Sequence, residues 1–268
     1  MTDLDISFLG DTPLDRLKAL MARLRSKDNG CPWDSEQTFE TIAPYTIEEA
    51  YEVSEAINQK DMVALKEELG DLMFQVIFHS RMAEEMGEFD VEEVADALTA
   101  KMVRRHPHIF GEGDDRSAAE QIIAWEEQKA HERAQKGKGE SILDDVALAL
   151  PALMRAEKLQ KRAARVGFDW PNLDGVIEKI TEEAQEFADA AKDNDTDALE
   201  DEMGDLLFAV TNLARKTGID PEKALRRTNQ KFISRFQYIE NKARATKRDM
   251  DSLSLEEMEM FWTEAKNN

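Results

Sequence analysis

Laid against itself with an offset of 134 residues, the chain repeats its most distinctive stretches. Glu48-Glu49-Ala50-Tyr51-Glu52 falls on Glu182-Glu183-Ala184-Gln185-Glu186, and Glu68-Leu69-Gly70-Asp71-Leu72-Met73-Phe74 falls on Glu202-Met203-Gly204-Asp205-Leu206-Leu207-Phe208. After a four-residue gap, Lys101 meets Lys231 and Arg105 meets Arg235. Upstream, Pro32-Trp33-Asp34 mirrors Gly167-Phe168-Asp169. Self-similarity of this kind predicts one structural unit used twice, too few copies for a solenoid. One copy is expected within residues 1–110 and the other within 142–268. Residues 111–141 then form a polar helical linker around Trp125, ending in the flexible Gly137-Lys138-Gly139-Glu140-Ser141.

Each copy is expected to be helical. Thr46-Ile47-Glu48-Glu49 and Ser117-Ala118-Ala119-Glu120 fit the capping-box pattern, which predicts helix starts at Thr46 and Ser117. Asp220-Pro221-Glu222 sets a cap, a first-turn proline and an early carboxylate in the preferred order. Asp61, Asp90 and Thr196 are further expected starts. Only 12 Gly and 7 Pro interrupt the chain, and no run alternates like a strand, so the predicted class is all-α.

The acids come in pairs at i,i+3: Glu49/Glu52 with Glu68/Asp71, and Glu183/Glu186 with Glu202/Asp205. Residues three apart share a helix face. A turn at Gln59-Lys60-Asp61 would bring the second helix back along the first, so that four carboxylates converge. With 57 acids in 268 residues, about ten such pairs arise by chance, and one alone carries no information. Repetition separates these from the rest, since Glu49 to Asp71 and Glu183 to Asp205 both span 22 residues. Gly70 and Gly204 recur beside them, where mid-helix glycine costs about 1 kcal/mol against Ala, and predict close packing or ligand approach. At ~4 Å and an effective dielectric near 20, each like-charge pair costs roughly 4 kcal/mol. A hard divalent cation with oxygen ligands, Mg²⁺ above all, removes that penalty. A duplicated structural unit without chemistry is the competing account.

The formal charge of −22 excludes a duplex nucleic-acid binder and repels small anions, unless cations or a basic cluster reverse the local potential. Bound Mg²⁺ would do that. The single cysteine, Cys31, excludes an intrachain disulfide. The first residues do not read as a signal peptide, and no apolar run approaches the ~20 residues of a membrane span. A cytoplasmic protein without membrane partners is expected. Di-iron chemistry wants Glu-x-x-His, and the residues three before His79, His106, His108 and His131 are Val76, Val103, Arg105 and Gln128. His106 and His108 lack the remaining ligands of a zinc site at recognisable spacing.

Taken together, Glu-Glu-x-x-Glu followed by Glu-x-Gly-Asp, in a duplicated all-α chain, resembles the MazG family of nucleoside triphosphate pyrophosphohydrolases. Gly30-Cys31-Pro32-Trp33-Asp34, Arg104-Arg105-His106-Pro107-His108, Val166-Gly167-Phe168-Asp169-Trp170 and Lys231-Phe232-x-x-Arg235-Phe236 extend the resemblance over nearly the whole chain. It implies two tandem MazG-like four-helix repeats, intertwined in a homodimer. The second repeat is expected to be the principal catalytic unit because Arg226, Arg227, Lys231 and Arg235 follow its acids, whereas in the first Lys101 and Arg105 run into His106-Pro107-His108, where proline disfavours continued helix. The resemblance also implies Mg²⁺-dependent hydrolysis of nucleoside triphosphates, ATP among them, to monophosphate and pyrophosphate with broad base tolerance, Mn²⁺ serving as substitute.

Carried over residue by residue, the resemblance makes Glu183, Glu186, Glu202 and Asp205 metal ligands, with Glu49, Glu52, Glu68 and Asp71 a weaker second set. Glu183 and its neighbour Glu182 would be catalytic, Glu182 by orienting or deprotonating water. Lys231 and Arg235, one turn apart, would grip the phosphates, with Trp262 and Lys266 also contacting nucleotide. Without the resemblance, Lys231 and Arg235 read equally as surface cations and Trp262 as a core anchor beside Met258 and Phe261. Cys31, Trp33, Leu72, Phe74, Leu206 and Phe208 are expected to pack structurally. A dUTPase-like enzyme or a phosphoribosyl-ATP pyrophosphohydrolase is the alternative activity. An acidic helical interaction protein is the non-enzyme alternative.

Overall fold

The computed structural model describes residues 9–111, 141–144, 146–193 and 195–267, with isolated positions between 117 and 132. The chain divides into two compact units, Met1–His131 and Glu132–Asn268. Among the described residues the regular structure is helical and contains no strand. Most of the linker expected over 111–141 lies outside the described residues. The reciprocal Ser117/Glu120 capping bonds expected there are present.

The first unit runs α1 (Pro13–Leu24), α2 (Pro32–Glu36), α3 (Phe39–Gln59), α4 (Met62–Glu85), α5 (Val91–Arg105) and α6 (Pro107–Phe110). Helices α3 and α4 form the dominant packed pair, with α1 and α5 laid against α4. The hairpin is tight because Lys60 adopts the left-handed conformation (φ 58°) and Asp61 caps α4 through Val63 and Ala64. The core gathers Met21 of α1, Ile42 of α3, and Ile77, Phe78 and Met82 of α4. Phe78 is 1 % exposed, so truncating it to Ala would cost about 3–5 kcal/mol.

One expected helix start moves. Helix α3 begins at the Thr38 cap, and Thr46 lies in its interior beyond Pro44. The apolar Phe39 and Ile42 pack on the first unit's core, which extends the helix N-terminally past the predicted cap. The Thr46 hydroxyl meets the Ile42 carbonyl and His79 Nε2 of α4 instead, so Glu49 has no capping role. Helix α9 does start at the expected Thr196, with Asp195 as its cap. The expected caps Asp61, Asp90 and Asp220 are in place.

The second unit runs α7 (Ala152–Arg165), α8 (Asp174–Asp193), α9 (Thr196–Lys216), α10 (Pro221–Ala245), a 3-10 turn (Met250–Ser252) and α11 (Leu255–Asn267). The α8–α9 pair repeats the α3–α4 hairpin, and α7 packs on α9 and α10. The long α10 carries a second apolar cluster of Ile239, Ala243 and Leu253, against which Met258, Phe261 and Trp262 of α11 pack. No helix among the described residues is long and apolar enough to cross a membrane.

Several apolar side chains expected to pack remain open within the chain. Trp33 is 51 % and Phe208 45 % exposed. Phe74, the counterpart of Phe208 in the first unit, does pack, leaning on the core there. Of the two accounts of the repeated glycines, close packing within the unit does not hold. A Cβ at Gly70 or Gly204 would meet nothing within 4 Å, so neither position is closely packed inside its unit.

Candidate metal centre

One helical turn separates Glu183 from Glu186 on α8, and the hairpin brings Glu202 of α9 against them. Carboxylate oxygens of these three lie within 4.8 Å of one another. In the first unit the corresponding trio is Glu49 of α3 with Glu68 and Asp71 of α4. Of each expected quartet the structure thus gathers three members, and the odd one differs. Asp205 lies outside the trio but lines an adjoining cavity together with Glu183. Glu52 lies outside its trio yet repels both Glu49 and Glu68.

The crowding is visible in proton affinities. Burial raises the pKa of Glu186, and the charges of Glu183 and Glu202 raise it further. Burial and then Asp71 and Glu52 raise Glu49; burial and then Glu52 and Asp71 raise Glu68. Each trio therefore holds negative charge at a cost that a multivalent cation would relieve. The donors are all carboxylate oxygens, the set that suits a hard divalent ion.

The second trio has one feature that the sequence reading missed. Lys179 Nζ lies 2.6 Å from Glu183 and 3.0 Å from Glu182. Those two hydrogen bonds hold the Lys179 pKa above its ordinary value. Its spacing of three and four residues from the two acids was readable as helical ion pairing. At the same offset of 134 the first unit has Tyr45, which meets the Trp33 ring edge-on.

Beside the acids the second unit encloses a cavity of about 490 Å³. Leu159 and Ala163 of α7, Phe168 and Trp170 of the following loop, and Phe208 of α9 supply its apolar wall. Trp170 can lie against α8 because residue 175 is glycine, since a Cβ there would meet Trp170 Cδ1 at 2.3 Å. Asp169 ties the loop to α9 through Arg215 (2.6 Å) and Lys216 (3.2 Å). Burial works to raise the Asp169 pKa, but these two partners outweigh it and hold the carboxyl below its usual range.

The basic residues expected at the phosphates lie on α10 and α11. Lys231 is exposed on α10, and Lys266 is exposed on α11. The Arg235 guanidinium sits 5.5 Å from the Trp262 ring centre, and that ring also packs on Phe232 at 5.3 Å. Among the described residues no hydrogen bond or ion pair joins Lys231, Arg235 or Lys266 to Glu183, Glu186, Glu202 or Asp205. In the first unit, α5 stops at Arg105 and Pro107 opens the short α6, whereas α10 runs on for 25 residues. His106 and His108 approach to 5.7 Å between ring centres, and no third metal-ligating side chain joins them among the described residues.

Comparison with known proteins agrees with this arrangement. The model of the MazG nucleotide pyrophosphohydrolase domain matches residues 37–110 and again 172–239, spanning the acid-bearing helices of both units. The nucleoside triphosphate pyrophosphohydrolase of Escherichia coli K12 is 49 % identical over 255 residues, covering 94 % of this chain and 97 % of that protein. The nucleoside triphosphate pyrophosphohydrolase/pyrophosphatase MazG of Thermotoga maritima is 41 % identical over 252 residues, covering 94 % and 95 %. A match over most of both lengths and a domain model found twice carry the same conclusion as the paired acid trios: the chain is an enzyme of the MazG nucleotide pyrophosphohydrolase family.

Proposed function

We propose that this chain hydrolyses nucleoside triphosphates to monophosphate and pyrophosphate with Mg²⁺, that Mn²⁺ can substitute, and that the second unit is the principal catalytic site. The observation that carries the reading is the trio Glu183, Glu186 and Glu202 bordering a cavity that shares Glu183. The names of the E. coli and T. maritima relatives support the substrate class. In this reading Glu183, Glu186, Glu202 and Asp205 hold the ion, with Glu49, Glu52, Glu68 and Asp71 a weaker second set. Bound there, Mg²⁺ would neutralise charge on the phosphate oxygens and order a water.

The chain's own groups supply the rest. Glu182, half-exposed and held by Lys179, accepts a proton from the attacking water or orients it. Glu183, anchored by Lys179 and 3 % exposed, keeps a fixed orientation. Lys231, Arg235 and Lys266 offset the charge of the phosphates, with Trp262 fixing Arg235 by its ring face. A homodimer supports this assembly, because it would cover Leu207, Phe208 and Val210, each 45–49 % exposed. We place the reaction in the cytoplasm.

The deciding experiment follows product release from ATP, dUTP and phosphoribosyl-ATP, with and without chelator. Pyrophosphate and monophosphate from several nucleotides, abolished by chelation, are the expected outcome. Orthophosphate and diphosphate, or full activity after exhaustive chelation, would refute the reading. Cleavage of dUTP or of phosphoribosyl-ATP alone would move the chain to a specialised enzyme.

A further inference from the structure

The first unit's core has a polar counterpart in the second. At the offset of 134 residues, Ile77 corresponds to Thr211 and Phe78 to Asn212. Helices α1 and α7 align at an offset of 139, which sets Arg16, Leu20, Met21 and Arg23 on Arg155, Leu159, Gln160 and Arg162. Met21 and Phe78, 0 % and 1 % exposed, meet in a closed apolar core. Gln160 and Asn212, 7 % and 5 % exposed, line a cavity instead. Buried amides in place of packed Met and Phe are unfavourable for folding unless something pairs with them.

The orientation of both amides is determined by their partners. Gln160 Nε2 donates to the Phe208 carbonyl at 2.8 Å, and a carbonyl can only accept. Its Oε1 is therefore the remaining atom, and it is buried without a hydrogen bond. Asn212 Oδ1 accepts from Arg215 Nε at 2.8 Å, and a guanidinium can only donate. Its Nδ2 is left as a donor with no partner among the described residues. The two amides that line the cavity thus keep one acceptor and one donor unpaired among the described residues, beside the acids, with the charges of Asp169 and Arg215 already paired to each other.

We propose that this cavity takes the nucleobase of the substrate, and that Gln160 and Asn212 read its edge. This rests on the function proposed above. Every nucleobase has flat faces for Phe168 and Trp170 and carries an N–H next to an acceptor, so one acceptor and one donor bind all of them with little preference. The volume of about 490 Å³ admits a purine. The same positions in the first unit are filled by Met21 and Phe78, which leave no room for a base.

The test compares ATP with ribose 5-triphosphate, which lacks the base, on the full chain. Gln160→Met keeps the side-chain shape and removes the acceptor, and Asn212→Asp keeps the Arg215 bond and removes the donor. Each should raise KM for ATP about tenfold with kcat little changed. Each should leave turnover of ribose 5-triphosphate within about twofold. The double variant Gln160→Met/Asn212→Phe places the first unit's two side chains in the cavity, and should fold and lose its preference for ATP over ribose 5-triphosphate. Unchanged KM for ATP, or equal losses on both substrates, would overturn the proposal. Calorimetric binding of ATP and of tripolyphosphate separates it from the function reading. A wild type that releases no pyrophosphate but binds ATP more weakly once Gln160 is changed sinks the reaction and keeps the base site.

Discussion

Lys179 and Glu183 stand one turn apart on α8 with Nζ and Oε1 2.6 Å apart, and the pair has no equivalent in the first unit, where Tyr45 replaces the lysine. A cation inside a candidate metal site competes with the metal for the carboxylate while holding that carboxylate in position. Replacing Lys179 by Met should therefore move two quantities in opposite directions. Half-saturation by Mg²⁺ should fall, because the competing charge is gone. The rate at saturating Mg²⁺ should drop about tenfold, because Glu182 and Glu183 lose their anchor, a loss worth roughly 1.4 kcal/mol of barrier. A variant in which both parameters worsen together would show that Lys179 assists the ion.

The two acid trios should not be equivalent. Glu202 belongs to the cavity-bearing unit, whereas Glu68 belongs to a unit whose corresponding space is packed with Met21 and Phe78. Glu202→Ala should lower kcat at least ~100-fold, and Glu68→Ala should cost less than ~10-fold. Circular dichroism would confirm that both remain folded. Equal losses would reveal two working sites, and the reverse order would transfer catalysis to the first unit.

Gly204 sits between Glu202 and Asp205 on α9, with open space where its Cβ would be. Because no packing inside the unit needs a glycine here, Gly204→Ala should stabilise the fold by about 1 kcal/mol through helix propensity. If phosphate oxygens approach this backbone, the same change should lower kcat/KM about tenfold or more. Gly70→Ala should stabilise the first unit without that loss. A stabilised and fully active Gly204→Ala protein would rule out ligand approach at this point.

Arg248 clamps Glu257 at the start of α11 (2.5 Å), and this hydrogen bond, with that from the Ser254 amide, lowers the Glu257 pKa to about 2 from its ordinary 4.5. A depressed carboxylate stabilises the fold above its unfolded pKa and loses that contribution as pH falls through the folded value. The chain should thus lose part of its stability between about pH 4.5 and about pH 2. Glu257→Gln should flatten the pH dependence in that window. The urea midpoint at about pH 5 and about pH 3, in wild type and variant, measures it. The effect should be small, since the pair is exposed to solvent. An identical pH slope in both proteins would remove Glu257 from the acid response.

The acid-bearing helices were legible because their information is local and periodic. An i,i+3 spacing puts Glu183 and Glu186 on one face whatever surrounds them, and the offset of 134 marks the two hairpins as copies. The caps Asp61, Asp90 and Asp220 depend only on the residues that follow them. Thr46 misled for the opposite reason, since its capping pattern was overridden by Phe39 and Ile42 seeking the core. The pairing of Arg235 with Trp262 was equally hidden, because it joins helices whose approach no local pattern encodes.

The sequence by itself therefore determined the helical class, the duplication and which carboxylates could meet, all of which follow from helical period and repeated spacing. It determined the family as well, through the acids with their flanking glycines and aromatics. Only the tertiary structure decided that three acids of each quartet converge, that Lys179 anchors one trio, and that Gln160 faces the same space as Asn212. The reason is distance along the chain: α7 and α9 are brought together by burial of their apolar sides, and which polar atoms then remain unpaired is settled by packing alone.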